Sequence, residues 1–103
     1  MATINHFGPY DFPIGGAGLA PGQFHNVVWG DAGGTYDNAS INVTGHPWQT
    51  LVGGQSAVWV SDMSIEHVPQ FGGPARISAY ATFGNDGQTP IAMIRAFLTV
   101  TKP

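Results

Sequence analysis

The side chains of this chain that could do chemistry are few and scattered. His6, His25, His46 and His67 are the first to weigh, because imidazole is the commonest transition-metal ligand. No two of them stand at the i, i+2 separation that places a pair on one strand face, and no zinc-motif spacing occurs. They read as turn or packing histidines, and no metal or other cofactor is expected. Asp62 and Glu66 fall on one side of an extended segment, but four residues of strand separate their backbones by roughly 13 Å. Glycoside hydrolysis needs two carboxyl groups about 5 to 9.5 Å apart, so this pair would serve only if a bulge bent the strand. The segment Asp31 to Asn38 gathers two carboxylates and an amide around glycines. It could offer oxygens to calcium, but without the ordered positions of an EF-hand loop it reads as a solvated turn. There is no cysteine, no Gly-x-Ser-x-Gly elbow and no glycine motif leading into a helix. The reading leans away from an enzyme.

The aromatic residues point elsewhere. Trp48 lies in His46-Pro47-Trp48-Gln49, where proline limits the backbone and no alternation demands burial. Its ring is either a cap on the core or a surface presented to a partner. An indole face stacks on the apolar C–H face of a sugar, and neighbouring amides, carboxylates and imidazoles can hydrogen-bond its hydroxyls. Trp48, His46, Tyr36, Asn38 and Asp31 form the candidate ligand-binding set. Trp59 is expected in the core, and Trp29, at a strand end, is open. The sequons at Asn38 and Asn42 share a strand face and are read as chance occurrences in a chain with no visible secretory signal.

Composition narrows the partners. Charged residues make up 9% of the 103 residues, and the formal net charge is −3 with three basic side chains, against roughly 25% charged residues in an average soluble domain. Phosphate neutralisation therefore has almost nothing to work with, and nucleic acid is not an expected partner. The polar surface must be built from uncharged amides and hydroxyls, which suits sugars or like-surfaced neighbours. No stretch approaches the roughly 20 apolar residues of a membrane-spanning helix. Met1 to Ile4 lacks the basic and apolar regions of a signal peptide. Cytoplasmic or non-classically released localisation is placed slightly ahead of secretion, with a removed signal peptide left open.

The elements that must position these residues read as all-β in one domain, residues 1–103. Residues 1–23 carry Pro9, Pro13, Gly15, Gly16, Gly18, Pro21 and Gly22 among apolar side chains. They are expected to form an irregular Gly/Pro-rich arm packed on the rest of the chain or on a neighbouring subunit. Residues 24–103 are expected to form a small antiparallel β-sandwich, immunoglobulin-like or jelly-roll-like, with a small β-barrel as second choice. Strands are predicted over 24–30, 35–44 and 56–68, with a short one at Leu51-Val52 and a loop over 69–74. Along 35–44, Ala39, Ile41 and Val43 share one face and Tyr36, Asn38, Ser40, Asn42 and Thr44 the other. Along 56–68, Ala57, Trp59, Met63 and Ile65 take the core parity.

The stretch from Gly73 to Lys102 reads most clearly of all, as a β-hairpin turning at Gly84 to Gln88. A turn centred between Asp86 and Gly87 sets Arg95 opposite Ser78, Met93 opposite Tyr80 and Phe97 opposite Arg76. That pairing gathers Arg76, Tyr80, Met93, Arg95 and Phe97 on one face, an unusual mix of arginine, aromatic and apolar side chains that predicts a covered interface. Three functions follow from these features. The leading one is a non-enzymatic, lectin-like module binding an uncharged polar ligand such as a glycan as a homo-oligomer. The second is a structural, self-assembling β-sandwich protein, and the third a small β-barrel enzyme with an internal pocket.

Overall fold

The computed structural model describes residues 2–31, 35–36, 38–50 and 53–103; within strands, the side chains of residues 31, 68–70 and 73–76 lie outside that description. The chain is all-β, with strands β1 (Thr3–Pro13), β2 (Phe24–Asp31), β3 (Ser40–Thr50), β4 (Val58–Gln70), β5 (Gly73–Asn85) and β6 (Ile91–Lys102). They form two antiparallel three-stranded sheets, β1-β6-β3 and β2-β5-β4. Among the described residues the two sheets do not close into a barrel.

The core lies where the inner faces meet. β6 contributes Ile94, Ala96, Leu98 and Val100 by strict alternation, β5 contributes Ala79, Ala81 and Phe83, and β2 contributes Val27 and Trp29. The alanines leave room for large rings: Trp29 packs edge-on against both Tyr10 and Phe12, and Phe12 also meets Phe83. Gly45 is required by the same packing, since a Cβ there would come within 2.7 Å of the Phe83 ring. Trp29 Nε1 is buried with no hydrogen-bond partner among the described residues.

The expected hairpin does not form. β5 and β6 are the central strands of different sheets, and the chain between them is an arch that crosses the core. The turn residues spend their backbone donors on other segments. Asp86 N–H donates to the Ala57 carbonyl, Gln88 N–H to the Gln55 carbonyl, and Asn85 N–H to the Gln23 carbonyl. The Asn85 side chain fixes the crossing, because its Nδ2 donates to the carbonyls of Leu19 and Thr89 and its Oδ1 accepts from Gly87 N–H. All three bonds are satisfied at a residue 1% exposed, as a buried amide requires. The hairpin in this half of the chain is instead β4–β5, where the expected loop over 69–74 tightens to Phe71-Gly72 between the paired Gln70 and Gly73, with Gly72 at φ 75°.

Two further expectations change. Residues 3–13 of the expected arm are a regular edge strand on β6, and Gly8-Pro9 is accommodated at a bulge between Phe7 and Tyr10. Only 14–23 stays irregular, stitched in by the Leu19–Ile91 bridge. Trp59 faces outward: it lies across Gly84, its direct partner on β5, and Val58 and Val60 take the core side. A bulge between Ser61 and Ser64, with Asp62 at φ 52°, then restores Ile65 to the core. β3 likewise runs from Ser40 through His46-Pro47-Trp48 to Thr50, past the expected end at Thr44. The expected strand at Leu51-Val52 falls outside the described residues.

Candidate functional site

The outer face of β1-β6-β3 brings together the polar and aromatic side chains best placed to meet a ligand. β6 lies between two neighbours, so each outward residue of β6 heads a row across the sheet. Arg95 stands between Asp11 and His46, Met93 between Pro13 and Gln49, and Thr99 between His6 and Asn42. Phe97 is paired with Thr44 and faces the Gly8-Pro9 bulge on its other side.

Trp48 is the extra residue of a bulge, since Pro47 pairs with Ile94 and Gln49 with the next residue, Met93. Bulges re-aim side chains, and here the indole lies against Arg95, whose Cζ is 3.6 Å from the ring centroid. The guanidinium is itself pinned, with Arg95 Nε donating to Asp11 Oδ1 at 2.7 Å and Nη2 donating to Oδ2 at 3.0 Å. This bidentate fork leaves Arg95 little rotational freedom. Trp48 is thus braced on one face while 51% of its surface remains exposed. Beside it His46 meets the Phe97 ring edge-on at 5.7 Å, and His6 Nδ1 lies 3.0 Å from Thr99 Oγ1 in a hydrogen bond along the same face.

The electrostatics are nearly neutral. The Arg95 hydrogen bond holds the Asp11 carboxyl below its ordinary value of 3.8, desolvation opposes that shift, and the nearby guanidinium charge lowers it further. Arg95 is raised in turn, chiefly by the same hydrogen bond. One positive and one negative charge pair within the site, and the same rows of the sheet carry His46, Gln49 and Thr44.

The structure divides the predicted ligand set. His46 and Trp48 share this face. Tyr36 does not, because it is 6% exposed and belongs to the core. Asn38 is in an exposed turn at φ 54°, and Asp31 ends β2 on the other sheet. The predicted interface set divides too. Met93, Arg95 and Phe97 lie on β6 in the same sheet as Trp48, whereas Tyr80 and the backbone of Arg76 belong to β5 in the opposite sheet, because the hairpin that would have united them is absent. Asp11 was missed in the sequence; its partner Arg95 was visible, but the strand that carries Asp11 was read as irregular. The histidines stay apart: His6 and His46 head separate rows, and His25 and His67 lie on the other sheet. Among the described residues no group of three or more His, Asp or Glu side chains is placed to hold a metal ion, and no helix is long and apolar enough to cross a membrane.

The chain gives no significant match to a family model, a curated protein or a solved structure.

Proposed function

We propose that this protein is a non-enzymatic β-sandwich recognition module, lectin-like, that binds an uncharged polar ligand of the glycan class on the outer face of β1-β6-β3. The observation that carries this reading is the braced, half-exposed indole of Trp48. A sugar ring has an apolar C–H face for the indole and hydroxyls for the surrounding donors and acceptors. Asp11, His46, Gln49 and Thr44 are the polar groups of the same rows. Because the Asp11–Arg95–Trp48 stack is already assembled, little ordering remains for the ligand to impose, which favours affinity from a shallow surface. The test is a glycan array followed by titration with the sugars that bind. Trp48→Ala should reduce affinity more than tenfold, and undiminished binding by that variant would remove Trp48 from the site.

Self-assembly is the second reading, favoured by Phe97 and Ile4, large apolar side chains exposed on that face. It would cover the surface a glycan needs, so one substitution separates the two. Phe97→Glu should dissociate an assembly built on this face, and an assembly of unchanged mass would exclude that interface.

A further inference from the structure

Of the four edge strands among the described residues, β2 alone lacks protection against pairing with another strand. β1 carries the Gly8-Pro9 bulge and Pro13. β3 is interrupted by bulges around Trp48 and carries Pro47. β4 is bent at Asp62 and carries Glu66 and Pro69. β3 and β4 also cover one another, with Val43 N–H donating to Met63 Sδ at 3.2 Å. Prolines, charges and bulges of this kind are how edge strands are kept from joining. β2 has no proline, no register shift and no charged side chain before Asp31.

Its free edge can be assigned residue by residue. Asn85 N–H donates to the Gln23 carbonyl, and hydrogen-bonded pairs alternate along an antiparallel ladder. His25, Val27 and Trp29 therefore direct their backbone groups at β5. The N–H and C=O groups of Phe24, Asn26, Val28 and Gly30 point away from β5, and among the described residues β2 pairs with no other strand. The outward side chains of this same set include Phe24 and Val28, 64% and 54% exposed.

We propose that β2 is the docking edge for a second copy of this chain, the two β2 strands running antiparallel about a two-fold axis at Val27. A two-fold interface must be complementary to itself, and this register is. It sets Asn26 opposite Val28 of the second copy and Phe24 opposite Gly30 of the second copy. Above Gly30 a Cβ would meet nothing within 4 Å, so the Phe24 ring has space to lie there. The chain already uses that arrangement once, where Trp59 lies across Gly84. With no charge between residues 24 and 30, two copies of a net-negative chain meet without like-charge repulsion at the seam. The product is a continuous six-stranded sheet, β4-β5-β2 joined to β2-β5-β4, with both Trp48 faces left open. The inference does not depend on the glycan reading, since it rests on the other sheet.

The experiment is light scattering on the full chain at high protein concentration, with Val28→Pro and Val28→Lys as variants and circular dichroism to confirm folding. Val28→Pro removes a donor at the free edge and none from the β2–β5 ladder. The wild type should show twice the 10.8 kDa chain mass, and both folded variants should fall to the chain mass. Cysteine pairing fixes the register independently: Asn26→Cys and Val28→Cys, mixed and oxidised, should cross-link, whereas each alone should not. A wild type that stays monomeric, or folded Val28 variants that keep the wild-type mass, overturns the proposal. Cross-linking of either single variant as strongly as the mixture overturns the register.

Discussion

Arg95 occupies the middle of a three-residue stack, and its neighbours determine how the site responds to pH and substitution. Asp11 is held below 3.8 by the hydrogen bond from Arg95, so folding and the bracing of Trp48 favour its ionised form. The sign follows from linkage: the contribution is fully present above pH 3.8 and disappears as pH falls through the lowered value. Ligand affinity should therefore be level from neutral to mildly acidic pH and decline only in strong acid. Asp11→Asn should weaken sugar binding several-fold while barely changing the melting temperature, because exposed ion pairs contribute little to stability. Titration at several pH values, alongside thermal melts, checks both. Loss of binding near pH 6 would instead implicate a histidine.

At the scale of elements, the arch between β5 and β6 is the joint on which the two-sheet arrangement depends. Asn85→Ala would remove the side-chain bonds to the carbonyls of Leu19 and Thr89 and from the N–H of Gly87, each contributing about 0.5–1.5 kcal/mol. A loss of on the order of 3 kcal/mol is expected, lowering Tm by on the order of 15 °C in a domain of this size. A melting temperature unchanged by Asn85→Ala would show that the arch is held by its backbone bonds alone.

The same arch shows why the sequence was readable in part. Alternation identified the inward set Ala39, Ile41 and Val43, because burial on one face imposes a period of two whatever the strand pairs with. It could not identify the pairing. A run of glycine, asparagine and aspartate supports a hairpin and an arch equally, and the choice was made by Gln23, Gln55 and Ala57, far away in the chain. β6 was read as one arm of a hairpin, whereas it is a central strand with a neighbour on each side. Bulges caused the remaining errors. One at Asp62-Met63 changes parity in mid-strand, which is why Trp59 and Ile65 cannot both face the core. One at Gly8-Pro9 let an edge strand pass for an irregular arm. In the site, Trp48 and His46 were legible from their setting. Asp11 was not, because its role depends on a partner 84 positions away.

For the whole molecule, the proposed ligand face and the proposed docking edge lie on different sheets. The β1-β6-β3 face presents Trp48, and the β2-β5-β4 sheet ends in the unprotected edge of β2. A dimer joined at β2 holds two Trp48 faces in one particle, and linked sites bind a surface more tightly than either site alone, by about 10²–10⁴-fold. Val28→Pro should therefore leave the affinity for a free monosaccharide unchanged and lower retention on a glycan-coated surface by on the order of a hundredfold. Surface binding compared with solution titration provides the check. Equal loss in both formats would mean that the substitution damages the site itself.

The measurement that bears most directly on glycan recognition at Trp48 is tryptophan fluorescence on titration with neutral sugars. It is best made in a Trp59→Phe background, which removes the other markedly exposed indole, 38% accessible on the opposite sheet. Sugars that bind should produce a saturable change in this background, and adding Trp48→Ala should abolish it. An array without binders, together with fluorescence unmoved by any sugar, would contradict the account.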